Sequence, residues 1–205
     1  MIDIRFENDQ NRAAAYDGDK CIGTCKVAVL KSFWIIRHTA TDINYNGQGI
    51  AGKLVDCVMD AAKAAGVRVK PFCPFAAYLF EKNAEYAAME DHSVITVYGM
   101  KTCPDCTYVE EQASDNPSFK FIDIGEHVKN LKAFLSLRDS EDAFNEVRGS
   151  GSVGIPCFVT EDGFVTRTPE EAGLRSRPVD EQPQEVQGEL PAALTDQAAK
   201  GLHIG

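Results

Sequence analysis

Apolar and polar positions alternate with a period of two at the start of the chain and switch to a period of about 3.6 near residue 49. Residues 2–6 alternate strictly, as a half-buried strand does. Residues 13–16 run into the turn signal Asp17-Gly18-Asp19, and residues 21–30 and 33–39 read as two longer strands. Between residues 49 and 65 the apolar positions are Ile50, Leu54, Val58, Ala61 and Ala65, the stripe of one helix face, and Gly66 is placed to end that helix. Residues 67–72 predict another strand, and residues 75–89 one or two short helices.

The pattern restarts at residue 93. Residues 93–98 predict a strand, a helix follows Pro104, and residues 119–124 predict a second strand. Residues 126–137 predict a helix with Val128, Leu131, Phe134 and Leu135 on one face, and Ala143, Phe144 and Val147 continue as a shorter one. After the loop at 150–154, two strands at 155–160 and 164–167 flank the turn Glu161-Asp162-Gly163. The order is β-α-β-α-β-β, joined to the first unit by a short connection near residues 89–92, so the two units should pack together or lie closely tethered. The fold class is α/β (α+β) in two units, residues 1–91 and 92–174. Residues 175–205, rich in Pro, Gln and Glu, predict a disordered tail with at most a short helix around 190–200.

Composition changes this picture in two ways. The formal net charge of −10 argues against a nucleic-acid backbone or an anionic membrane surface as partner. The charge is also uneven: residues 1–90 carry 11 basic and 11 acidic side chains, residues 91–175 carry 8 and 15, and residues 176–205 carry 2 and 5. Residues 1–7 show neither a basic segment nor an apolar core of a secretory signal, and no run of about 18 apolar residues is present. A reducing cytoplasmic setting is therefore expected, in which the seven cysteines are buried thiols, ligands or redox groups rather than structural disulfides.

Two motifs carry chemistry. The first is Asn46-Gly47-Gln48-Gly49-Ile50-Ala51-Gly52, between a strand and the long helix. Glycines let the backbone turn sharply, and the free amides and positive dipole end of the helix suit a pyrophosphate; a glycine loop without a ligand has the same spacing. The second is Cys103-Pro104-Asp105-Cys106, after a strand and opening a helix. There the first thiol gains from the helix dipole and free amides, and the second lies one turn on, placed to attack a mixed disulfide. Half of a zinc site is the competing reading, but Cys157, Cys73 and the Cys21/Cys25 pair do not supply the second half, so no metal is expected. Cys21 and Cys25, four apart in one strand, would share a face about 13 Å apart, too far for a disulfide.

The string Ile36-Arg37-His38-Thr39, then residues 47–51, residues 69–75 and Glu85-Tyr86, resembles the minimal GCN5-related N-acetyltransferases over residues 1–90. The resemblance implies acetyl-CoA as cofactor, with its pyrophosphate on Gly47, Gln48, Gly49, Ile50, Ala51 and Gly52. It implies an amine acceptor that it does not name. Cys73 falls where that branch tends to have a cysteine near the thioester, as nucleophile or as a buried apolar side chain, and His38 is the candidate base. Asn46, Ala40 and Asn83-Ala84 depart from the family's pattern. Residues 93–167 look like a glutaredoxin-related protein of thioredoxin fold. The resemblance implies Cys103 as nucleophile, Cys106 as resolving thiol and Pro156, in Gly154-Ile155-Pro156, as a cis-proline facing the substrate. Small-molecule thiols or protein disulfides are then the substrates. Glutathione is a candidate, although Glu161-Asp162-Gly163 stands where many glutaredoxins carry a Gly-Gly-Cys-Asp segment. Asp105 replaces the usual aromatic and should oppose part of the Cys103 pKa depression, with Lys101 as a candidate counter-charge.

Together these features predict a fusion of a dithiol oxidoreductase with an N-acetyltransferase. The alternatives are a redox-regulated CoA-binding or adaptor module with no transferase activity, and a redox unit that serves Cys73 or a CoA disulfide within its own chain.

Overall fold

A computed structural model describes residues 1–178, so the expected helix around 190–200 lies outside the described residues. The first five strands are β1 (Ile2–Glu7), β2 (Arg12–Asp17), β3 (Lys20–Val29), β4 (Phe33–Thr41) and β5 (Arg68–Pro71). They form one sheet in chain order, antiparallel except for the parallel pair β4–β5. The helix α1 (Ile50–Ala65) makes the β4–β5 crossover. It buries Ile50, Leu54, Val55, Val58, Met59 and Ala62 against Ala13, Ile22, Cys25, Trp34, Ile36 and Val69. Small residues in the sheet let α1 come close: a Cβ on Gly23 would lie 3.1 Å from Leu54 Cδ1 and from the Ala40 carbonyl. Gly66, at φ 71°, closes the helix in the left-handed region.

The stretch at 75–89 forms two helices, α2 (Pro74–Lys82) and α3 (Ala84–Ala88). Asn83 separates them in extended geometry, and its side chain accepts a hydrogen bond from the Glu85 amide, capping α3. Tyr86 donates to Asp56 of α1, which ties α3 back to the long helix.

Four strands, β6 (Ile95–Gly99), β7 (Phe119–Asp123), β8 (Cys157–Val159) and β9 (Val165–Thr166), form a second sheet in the order β7-β6-β8-β9. The β6–β7 pair is parallel and the other two are antiparallel. The helix α4 (Pro104–Ala113) packs Val109 and Ala113 on one face of this sheet, and α5 (Val128–Ser140) packs Phe134 on the other. The expected apolar face of α5 is corrected here. Phe134 is buried and Leu137 half-buried beside it, whereas Val128, Leu131 and Leu135 are exposed. The expected helix around 143–147 is a 3₁₀ turn, Asp142–Phe144. The last two strands are shorter than their apolar runs, and Pro156, which has no N–H to donate, precedes the first residue of β8.

The two sheets share a core. Ala28, Leu30, Phe33 and Ile35, on the face of the first sheet away from α1, pack with Ile95, Val97, Val109, Phe119 and Phe158. The connection is fixed by Lys70. Its side chain is fully buried, and Nζ lies 2.7 Å from Asp91 Oδ1, donates to the Asp91 carbonyl at 3.0 Å and to the Ser93 carbonyl at 2.5 Å, and sits over the Phe33 ring. All three ammonium protons therefore have partners. Burial would raise the Asp91 carboxyl pKa, but hydrogen bonds from Lys70 and Ser93 outweigh it and hold the group below the usual carboxylate range. Replacing Lys70 with Met leaves the partly buried Asp91 without its cation, held by Ser93 alone, with an expected loss of about 3 kcal/mol at pH 7. Urea denaturation measures it. The difference from the parent should shrink as pH falls through the carboxylate range, because a depressed pKa contributes stability only while the group is ionised.

Candidate functional site

Asp42 ends β4 and caps a 3₁₀ turn (Ile43–Tyr45), its carboxylate accepting from the Asn44 amide at 3.0 Å and pairing with Lys20 at 2.7 Å. The chain then passes through Gly47 (φ 78°) and Gly49 (φ 72°), two left-handed positions where other residues are strained. Gly49 is the N-cap of α1 and offers no side chain; the helix ladder starts with Lys53 N–H on the Gly49 carbonyl. The amides of Ile50, Ala51 and Gly52 therefore have no intrahelical partner. No acidic residue stands in the first turn, and a Cβ at Gly47, Gly49 or Gly52 would meet nothing within 4 Å. Free amides, an open approach and no carboxylate fit a pyrophosphate.

Beside this turn the sheet splits. Pairing of β4 with β5 ends at Ile36–Pro71 and is followed by one bond from the Cys73 amide to the Ile36 carbonyl, 2.9 Å. Beyond it, β4 continues to Thr41 paired with β3 alone, leaving one edge free for the amides of an extended ligand. Cys73 is the N-cap of α2 at the head of this split, but its side chain is only 3% exposed and packs in the core under α1.

His38 points elsewhere. The β3–β4 register shifts between Lys26 and Val27, so that Val27 faces Ile36, Lys26 faces His38, and Arg37 is the extra residue of a bulge. Past the bulge, Thr39 turns to the α1 side, where its hydroxyl donates to Cys25 Sγ, and His38 shares the opposite face with Lys26. The structure thus separates His38 from Cys73. A bulge is also what parts Cys21 from Cys25. The register slips between Ala15 and Tyr16, leaving Cys21 exposed and Cys25 buried, so the expected shared face is corrected.

Cys103 is the N-cap of α4, with Pro104 in the first turn. Its sulfur accepts from the Cys106 amide at 3.4 Å. The hydrogen bond from the Cys106 thiol, helped by the amides of Cys106 and Asp105, lowers the Cys103 pKa to about 6 against burial and the Asp105 charge. Cys106 is pushed up by the same hydrogen bond and by burial, and packs so tightly on Gly99 that a Cβ there would sit 3.1 Å from its own. The Asp105 charge has a partner that lies beyond residue 174: Arg177 Nε is 2.7 Å from Asp105 Oδ1 and nearly buried. Residues 175–177, expected in the tail, lie against α4, where Gln112 also bonds Arg175. Arg177 was hidden from sequence reasoning because nothing local pairs it with a residue 72 positions away. Lys101 is exposed beside Cys106, in a cavity of about 220 Å³ that also holds Asp123 and Glu126.

The Ile155–Pro156 peptide is cis, and Pro156 lines a cavity of about 210 Å³ with Asp105, Val109 and Arg167. In the turn at 161–163 the carboxylates are engaged: Glu161 accepts from the Val94 amide at 2.9 Å and Asp162 from the Thr160 hydroxyl. All seven cysteines are free, and burial raises Cys25 and Cys157 to about 12, which leaves both inert. Among the described residues no cluster of three or more His, Cys, Asp or Glu is placed to hold a metal ion, and no helix is long and apolar enough to cross a membrane.

The open turn before α1 and the split sheet lie within one stretch that a family model matches. Residues 12–89 match the family model described as GCN5-related N-acetyl-transferase, so a domain of that family spans them. A stretch of 66 residues is 33% identical to an uncharacterized protein of Haemophilus influenzae, covering 77% of that protein and 32% of this chain.

Two outcomes follow for the cysteine pair. Alkylation of the reduced protein by iodoacetamide should rise with pH through about 6 and then level off, where an ordinary thiol rises through about 8.5. Asp105→Asn should move this midpoint lower and Arg177→Ala should move it higher, because the first removes and the second uncovers a negative charge beside the thiolate.

Proposed function

We propose that the chain joins two activities. Residues 1–91 act as an acetyl-CoA-dependent N-acetyltransferase module. Residues 92–174 act as a glutaredoxin-like dithiol oxidoreductase of thioredoxin fold, working in a reducing cytoplasm on small-molecule or protein disulfides. The observation that carries the second half is Cys103, a low-pKa thiol at the head of α4 with Cys106 one turn behind it. The strand order, the helices on opposite faces and the cis Ile155–Pro156 peptide beside Asp105 support the same reading.

The Cys103 thiolate attacks one sulfur of a substrate disulfide. The substrate S–S bond breaks, a mixed disulfide forms, and the departing thiolate takes up a proton. Cys106 then gives up its proton and attacks the Cys103 sulfur, releasing the second thiol and leaving a Cys103–Cys106 disulfide. Two equivalents of an external thiol restore the dithiol. Glutathione can supply them in an assay, although Glu161 and Asp162 are already engaged by the protein's own groups.

In the first half, acetyl-CoA, when bound, supplies an activated acetyl thioester. The amides of Ile50, Ala51 and Gly52 would hold its pyrophosphate, Gly47 and Gly49 shape the turn that Gln48 bridges, and the free edge of β4 would offer backbone partners to the arm that carries the thioester. Cys73 lines the head of the split as a packed side chain. A second reading, a CoA-binding module without transferase activity, is favoured by the placement of His38 on the face opposite Cys73.

The two halves are tested separately. Full-length protein should reduce bis(2-hydroxyethyl) disulfide with glutathione or dithiothreitol as donor. Cys103→Ser should abolish turnover, and Cys106→Ser should accumulate a mixed disulfide detectable by mass. Turnover that survives Cys103→Ser sinks the redox half. For the other half, Gly52→Asp places a carboxylate among the free amides. It should weaken acetyl-CoA binding by about tenfold or more in calorimetry without lowering the melting temperature, since an acidic side chain in the first turn favours the helix. Binding that is unchanged in Gly52→Asp removes the turn from the cofactor site. Binding with no acetylation of any amine tried selects the second reading.

A further inference from the structure

A cavity of about 550 Å³ lies between the first sheet and the end of α4, apart from both the glycine turn and the cysteine pair. Its polar walls are Lys26 from β3, Arg37 and His38 from β4, Gln112 and Asn116 from the end of α4 and the turn after it, and Arg175 from the C-terminal segment. Phe72 and the backbone at Gly173 and Leu174 complete it. Three permanent cations therefore converge, with no carboxylate among the lining residues, in a chain of net charge −10. Chance placement on so acidic a protein favours the opposite sign.

Three details set the cations in place. The bulge at Arg37 turns His38 toward Lys26 and away from the α1 core. Arg37 donates to the Leu174 carbonyl at 2.9 Å, which holds the guanidinium against the C-terminal segment. Gln112 clamps Arg175 from both sides: its oxygen accepts from the Arg175 amide at 3.0 Å, and its nitrogen donates to the Arg175 carbonyl at 2.9 Å. Lys26 and His38 have no hydrogen-bond or ion-pair partner among the described residues. One carboxylate, Glu170, is felt by Arg37 but is engaged by the Ser176 amide and hydroxyl at 2.8 and 3.0 Å. The volume is that of a small-metabolite site, and held cations with spare donors suit a multiply charged anion.

We propose that this pocket binds a small multiply charged anion, a phosphate ester or a di- or tricarboxylate, through Lys26, Arg37 and Arg175. It draws residues from the first sheet, from α4 and the turn after it, and from the C-terminal segment, so its ligand would also bind the two units together.

The test uses the full chain with inorganic phosphate and citrate as probes, followed by titration calorimetry and thermal shift. Glucose and sodium chloride at matched ionic strength are the controls. One of the two anions should bind saturably at one site and raise the melting temperature beyond the chloride control. The better probe assigns the ligand as phosphate or carboxylate. Lys26→Glu and Arg175→Glu, both at exposed positions, should each weaken binding by about tenfold or more. Lys53→Glu, beside the glycine turn, should leave it within about twofold, so an anion caught at α1 is told apart. Circular dichroism checks that each variant is folded, and Lys26→Ala replaces any that is not. Absence of saturable binding by either anion, a shift reproduced by chloride, or a loss in Lys53→Glu equal to that in Lys26→Glu would overturn the proposal.

Discussion

Lys70 ties the two halves of the chain together. A buried ammonium is tolerated only when its charge and all its protons are answered, and here the answering groups are Asp91 and Ser93, which flank the boundary between the two units. The same segment is sewn to β5 by Val69 N–H on the Met89 carbonyl and Asp91 N–H on the Val69 carbonyl. The connection therefore leaves as a short extension of the first sheet, and β6 starts a few residues later in a fixed direction. That direction brings Ile95 and Val97 onto Ile35 and Phe33, and the shared core follows. With a loose connection, the face of Ala28, Leu30, Phe33 and Ile35 would be an exposed apolar surface.

The first sheet then produces two concave regions from one irregularity each. Pairing of β4 and β5 stops at Pro71, a residue without an N–H to donate, and the split opens there toward the glycine turn. One inserted residue, Arg37, changes the phase of β4, so that Thr39 joins the α1 core while His38 and Lys26 face the second unit. A regular strand would have put His38 under α1 beside Cys25. The same residue that removes an imidazole from the α1 side supplies a cation to the pocket between the first sheet and α4.

What could be read in the sequence depended on how local its cause was. The strands of the first unit, α1 and its glycine end, and the helix-opening positions of both motifs rest on spacing within about fifteen residues, and each stands near its expected place. The expected apolar face of α5 failed because periodicity reports amphipathicity and not which stripe is covered: Phe134 reaches a core that Val128, Leu131 and Leu135 do not. The bulges were illegible for a related reason, since register is set by pairing between strands and one inserted residue leaves no mark in composition. Arg177, Gln112–Arg175 and Lys70–Asp91 are long-range pairs of common surface residue types. They became visible only when the chain was folded.

Acidity is the remaining tension, because a thiolate is placed in the more acidic half of the molecule. Residues 91–175 carry a net charge of −7, and Asp105 sits between the two cysteines. Distance decides the balance. Diffuse surface charges act through solvent and are screened beyond about 8 Å at physiological salt, whereas the Cys106 thiol and the amides of Cys106 and Asp105 act on the Cys103 sulfur by direct hydrogen bonding. Asp105, the acidic group that acts against them, is bound by Arg177 from a segment that packs on α4. A low thiol pKa in an acidic unit is thus set by contacts made within the first turn of one helix, and the C-terminal segment belongs to the chemistry of that turn.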